Sequence, residues 1–293
     1  MTDKATPAKS GKNPQGSKDP FAKVPHEPGA PKMDKIIVAD HVKRRFGGLT
    51  AVDVEHFEVQ RNAITALIGP NGAGKSTFFN LLTGFDRPQE GEWSFNGFSL
   101  HSKSPAQVAR SGMVRTFQLT KALSRMTVME NMRLGAAQQI GENFFRALFP
   151  ALWRKQEAEI TAKAEELLIR FKLDAKKNDY AGELSGGQRK LLEMARALMS
   201  DPEIVMLDEP MAGVNPALTE SLLDHIVELK KEGVTVLFVE HDMHMVRRIS
   251  DWVVVMAEGK IIAEGPPDTV MANAAVQDAY LGSHHDTDLF EER

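Results

Sequence analysis

Two stretches of this chain carry residue types at spacings that suit phosphate chemistry. The first is Gly69-Pro70-Asn71-Gly72-Ala73-Gly74-Lys75-Ser76-Thr77, which fits the pattern G-x-x-x-x-G-K-[ST]. Glycines let such a loop curl so that successive backbone N–H groups face phosphate oxygens, and the following helix adds its positive end. Asn71, Gly72, Gly74 and Thr77 belong to that cradle, Lys75 is placed to bridge the β- and γ-phosphates, and Ser76 to bind Mg²⁺. The second is Ile204-Val205-Met206-Leu207-Asp208-Glu209, an apolar run ending in two acids. In an open α/β sheet, ligands sit at the carboxyl ends of strands. Asp208 would hold the Mg²⁺ shell there, and Glu209 would orient and deprotonate the attacking water.

A third element does not fit a self-sufficient nucleotidase. Leu184-Ser185-Gly186-Gly187-Gln188 is a second glycine-rich turn, and Leu191, Met194, Ala195 and Leu198 give the helix after it an apolar face. The turn reads either as a second anion site or as a simple capped helix start. On these residues the sequence resembles the ATP-binding subunits of ABC transporters, whose signature motif is Leu-Ser-Gly-Gly-Gln. The resemblance implies that Ser185, Gly187 and Gln188 serve ATP bound to a partner subunit. It also implies an adenine-stacking aromatic at Phe46, 29 residues before Lys75, although Phe46 alone also reads as a strand-end aromatic packed on the sheet. Gln118, in Arg115-Thr116-Phe117-Gln118, matches the glutamine that contacts Mg²⁺ and water and faces the membrane subunit. His241 matches the switch histidine on the γ-phosphate. One departure is Asn215, where the family commonly has Asp.

The elements that must position these residues follow from periodicity. Ile36–Val38 starts a strand, Val52–Val59 alternates, and Ala63–Ile68 is a short apolar run entering the first loop. From Gly112 to Met199 the pattern is mostly helical, with Ile160, Ala164, Leu167, Leu168 and Phe171 on one face. The apolar segment Phe144–Trp153 is too short to cross a bilayer; it reads equally as an interfacial, partner-facing helix and as a packed core helix. Ile204–Leu207 and Val234–Val239 bracket a helix carrying Leu218, Leu222, Ile226 and Leu229, the strand–helix–strand order of a parallel sheet. The expected fold is therefore α/β: a P-loop NTPase cassette with a mixed or parallel sheet core, an antiparallel β subdomain and a helical subdomain over about residues 119–200. Residues 1–33, rich in Pro, Lys, Gly and Ser, are expected to be a disordered basic tail, 34–282 the ATP-binding domain, and 283–293 a polar acidic tail, where His284 and His285 read as tail and not as a metal site.

Composition bounds the rest. The chain has 293 residues, a net charge of −4 and no cysteine, which excludes disulfides and fits a reducing compartment. The slightly acidic balance argues against a nucleic-acid partner. No apolar stretch approaches a membrane span and no signal core is present, so another chain must supply any span. Arg44-Arg45-Phe46-Gly47-Gly48-Leu49, Arg115-Thr116-Phe117-Gln118 and Ala279-Tyr280-Leu281-Gly282 are similar to the larger ATP-binding subunit of branched-chain amino acid importers. That resemblance implies a second cassette of a different chain, two transmembrane permease subunits, a periplasmic binding protein, ATP and Mg²⁺ as ligands, and a peripheral place at the cytoplasmic face of a bacterial inner membrane. Urea or amide importers and lipopolysaccharide exporters share much of the pattern. A soluble ABC ATPase acting on DNA or ribosomes lacks its long heptad insertion or second cassette here, and a small-molecule kinase leaves the signature and His241 unexplained.

Overall fold

A computed structural model describes residues 19–116, 123–137 and 150–281. Two sheets divide the strands. An antiparallel sheet of order β2-β1-β4-β5 is built from β1 (Lys35–Phe46), β2 (Leu49–Gln60), β4 (Glu90–Phe95) and β5 (Phe98–Ser99). The second has six strands in the order β10-β9-β3-β8-β7-β6: β10 (Lys260–Gly265), β9 (Trp252–Ala257), β3 (Ile64–Ile68), β8 (Thr235–Val239), β7 (Ile204–Asp208) and β6 (Met113–Arg115). All its pairings are parallel except β9 with β10.

The central strands β3, β7 and β8 are buried at every position, as continuous β-branched and apolar runs must be when both faces are covered. One face packs against the helix Lys75–Leu82 and the antiparallel sheet through Phe57, Phe78 and Phe79. The other meets the helical subdomain, where Leu168 and Phe171 of the helix Pro150–Arg170 join Leu191 and Leu192 of the helix Gly186–Leu198. The register sets the level of the site. Leu67 pairs with Val239, and Val239 pairs in turn with Asp208, so the loops leaving β3, β8 and β7 emerge side by side.

Two expectations change. Met113–Arg115 lies inside the region that reads as helical, yet it forms β6 and hydrogen-bonds in parallel to β7. A three-residue edge strand is too short to leave a period. Nor do residues 19–33 form a tail without packed structure. Phe21, Val24 and Ala30 are buried, and the Phe21 ring stacks on Trp252 with centroids 4.6 Å apart. Lys32 is buried against Glu264 (Nζ–Oε2 2.9 Å) with its ammonium over the Trp252 ring. Glu264 also accepts from the N–H of Ala30 at 2.5 Å and from Trp252 Nε1 at 2.8 Å. A few buried anchors in a Pro- and Lys-rich stretch offset its ordering entropy, although its average composition predicts the opposite. Residues 1–18 and 282–293, and all but the last four positions of 144–153, lie outside the described residues. No described helix is long and apolar enough to cross a membrane.

Candidate nucleotide site

The loop 69–74 leaves β3 and enters the helix Lys75–Leu82 at Gly74, whose φ is 98°. A Cβ there would run into the carbonyl of Ala51, so the close approach of loop to β2 requires glycine. Phe78, Phe79, Leu81 and Leu82 bury the inner side of the helix and fix its direction. Its first turn therefore points N–H groups out of the β3 edge, where Asn71, Gly72 and Ser76 are exposed and Thr77 is half-buried. The Lys75 ammonium donates to the carbonyls of Gly69 (2.6 Å) and Pro70 (2.9 Å). Burial lowers its pKa, and the Glu209 and Asp208 carboxylates oppose that shift. The cation and the two acids thus share one electrostatic neighbourhood.

Asp208 ends β7 and is buried. Its Oδ2 accepts from Arg115 Nη2 at 2.7 Å, and Arg115 Nη1 also donates to Asn80 Oδ1 (2.7 Å) and Thr83 Oγ1 (3.2 Å). One guanidinium therefore ties the Asp208 carboxylate to the far end of the Lys75 helix. Asp208 and Ser76 offer hard oxygen donors of the kind Mg²⁺ takes, and Mg²⁺ normally completes its shell with phosphate oxygens and water. The donor set fits that ion.

Glu209 follows immediately, with a left-handed backbone (φ 46°) held by its N–H on the carbonyl of Val239 at 3.0 Å. Next along the edge, the buried Glu240 accepts from the N–H of Met211 (Oε1, 3.0 Å) and of His241 (Oε2, 3.2 Å). Burial raises the pKa of Glu240, against the pull of those two N–H groups. The His241 side chain is exposed, with Nδ1 3.7 Å from Glu240 Oε2, beyond hydrogen-bond reach. So P-loop, acids and His241 share one sheet edge.

The signature turn lies elsewhere, at the start of the helix Gly186–Leu198. Ser185 Oγ accepts from the Gln188 N–H at 3.2 Å, and Gln188 Oε1 accepts from the Ser185 N–H at 3.0 Å, a reciprocal capping box. Ser185 and Gln188 are thus a cap, and the hydroxyl's own proton is not consumed by it. Gly187 is buried under the helix Pro216–Lys231, and a Cβ there would run into the Leu218 side chain. Asn215, the departure from the family's Asp, has a local duty: its Oδ1 caps that same helix on the Leu218 N–H at 3.0 Å. A neutral amide oxygen serves as well as a carboxylate there.

Phe46 is 48% exposed at the end of β1, so its ring is only half covered. The Arg44 guanidinium, paired with Asp86 at 2.9 Å, lies 4.6 Å from the ring centroid. Gln118 lies outside the described residues. The sequence shows Arg115 only as a neighbour of Gln118, and it singles out neither Glu240 nor Lys190. A charged residue closing an otherwise apolar strand was the available signal for Arg115 and Glu240.

A match to the ABC transporter family spans residues 52–212, and one described as branched-chain amino acid ATP-binding cassette transporter spans 260–286. The chain is 43% identical over 249 residues to a probable branched-chain amino acid transport ATP-binding protein LivG of Archaeoglobus fulgidus, covering 85% of this chain and 96% of that one. It is 41% identical to the high-affinity branched-chain amino acid transport ATP-binding protein BraF of Pseudomonas aeruginosa, covering 84% and 98%. Among solved structures, the ADP conformation of MJ1267, an ATP-binding cassette of an ABC transporter, superposes with a TM-score of 0.72 at 38% identity, covering 85% and 99%.

Proposed function

The chain belongs to the ABC transporter ATP-binding family, in its branched-chain amino acid group, and on that premise we propose that it is the ATP-hydrolysing motor subunit of an importer for branched-chain amino acids. The amino-acid part of this reading rests on the relatives, and the two-cassette part on where the signature turn sits in the fold. P-loop, acid pair and His241 line one sheet edge, whereas the capped Ser185–Gln188 turn opens a different helix. One chain then supplies half of each of two composite sites.

In this reading the loop N–H groups and Lys75 hold the β- and γ-phosphates of ATP. Phe46 stacks on adenine with Arg44 behind it. Ser76 and Asp208 would hold Mg²⁺, with Gln118 at its shell, and the ion would supply positive charge beside the phosphate oxygens. Glu209 takes a proton from the attacking water, and His241 donates to the γ-phosphate. Ser185, Gly187 and Gln188 close over nucleotide held by a second cassette, expected to be a different chain. The cassettes would drive two permease subunits served by a periplasmic binding protein, from the cytoplasmic face of the bacterial inner membrane.

The test is Glu209→Gln. It is expected to bind ATP with near wild-type affinity while slowing turnover by roughly 10²–10³-fold, accumulating a closed cassette pair. Wild-type turnover in this variant would remove Glu209 as the base. Size analysis of the full transporter with ATP and Mg²⁺ that shows no cassette pairing would remove the composite site.

A further inference from the structure

Glu209 sits in a backbone conformation that a side chain rarely adopts, so something must hold it there. Its N–H is bound to β8, as described. Its carbonyl faces the other way and accepts twice: from the Ala212 N–H at 3.2 Å, and from Lys190 Nζ at 2.9 Å. Lys190 belongs to the helix Gly186–Leu198, two residues after the signature turn. Its side chain crosses from that helix to the acid turn and ends among Glu240, Glu193 and Glu209. Burial lowers its pKa and those three carboxylates raise it, so the amine is a half-buried group with a specific acceptor and not a solvated surface lysine.

We propose that Lys190 is a positioning residue that fastens the signature helix to the peptide of the catalytic base, so that seating of the signature on one nucleotide fixes the base that acts on the other. This rests on the reading of Glu209 as the base and of Ser185–Gln188 as a contact to the partner's nucleotide. The reasoning is geometric. The signature turn and the acid turn belong to different composite sites, and the Lys190 side chain is a direct polar link between the two elements. The buried Glu240 extends the link, since its carboxylate holds the N–H groups of Met211 and His241 on the same edge. A shift of the helix by about an ångström would lengthen the Nζ–carbonyl bond past useful reach and free the Glu209 turn.

The test uses the full chain in the transporter complex isolated through it. Lys190→Met keeps the apolar stem and removes the donor; Lys190→Arg keeps a donor. For K190M, kcat is expected to fall about tenfold while KM for ATP and the Kd for a fluorescent ATP analogue stay within about twofold. K190R is expected to recover most of kcat. In the E209Q background K190M should slow single-turnover hydrolysis by less than about twofold, because the group it positions is already gone. K190M with wild-type kcat, or with nucleotide affinity and kcat lost together, overturns the proposal. So does a further tenfold loss on top of E209Q. E209Q alone separates the two readings: fast turnover there removes the base assignment, whereas slow E209Q beside an unaffected K190M removes only the role of Lys190.

Discussion

Replacing Lys32 by Met should destabilise the domain, because its ammonium pairs with Glu264, 232 residues further along the chain. Lys32 and Glu264 are both almost fully buried, with side-chain exposures of 1% and 2%. Removing one member of a buried ion pair typically costs about 3–5 kcal/mol, because the other charge is left without its partner. Here Glu264 keeps two donors, the Ala30 N–H and Trp252 Nε1, and a Met stem still covers the indole. That lowers the cost below this range, to about 2–3 kcal/mol. For a domain of this size each kcal/mol moves Tm by about 2 °C, so Lys32→Met should melt about 4–6 °C below wild type. Glu264→Gln should also destabilise, and the double variant should cost less than the sum of the two by about 1–3 kcal/mol, since they share one interaction. Thermal unfolding followed by circular dichroism reads all three, and nucleotide affinity should not change. A Lys32→Met variant melting within about 1 °C of wild type would show that residues 19–33 do not clamp β9 and β10.

Other outcomes follow from single contacts. Asn215→Ala removes a helix cap and should cost about 1 kcal/mol by urea denaturation, whereas Asn215→Asp should hold stability. Phe46→Ala should weaken binding of a fluorescent ATP analogue by about 5- to 100-fold, the range for losing one base–aromatic stack, and Phe46→Trp should retain it. His225 is buried against Phe171 (centroids 4.3 Å), and its Nδ1 lies 3.6 Å from Glu228 Oε2, outside hydrogen-bond reach. Burial pushes its pKa below 6.5, with the nearby Glu228 opposing. Above that ordinary value the group costs nothing. As pH falls below it, the unfolded chain takes the proton first and the native state loses stability. His225→Phe should therefore shrink the drop in Tm between pH 7.5 and pH 5.5; an unchanged drop would assign that sensitivity to other groups.

The motifs that chemistry spaces locally were readable because their physics is local. A strand of five buried residues, a glycine loop and a helix must follow one another around Lys75, and they do. The run ending at Asp208 likewise forms a fully buried strand. What the sequence hid depends on residues far apart. Phe21 gains its meaning from Trp252, and Lys32 from Glu264, so a window over residues 1–33 registers only Pro and Lys. Met113–Arg115 became a strand through pairing with Ile204–Met206, not through propensity. Lys190 resembled any exposed helical lysine until its ammonium met the carbonyl of Glu209.

The left-handed backbone at Glu209 has a consequence for anyone evolving this protein. A residue other than glycine or asparagine in that conformation carries about 1–2 kcal/mol of steric cost. Glycine at position 209 would release it, so a selection that rewards heat resistance alone will favour discarding the acid. Libraries screened for robustness need a turnover count beside the melting curve, or the hardiest survivors will be idle.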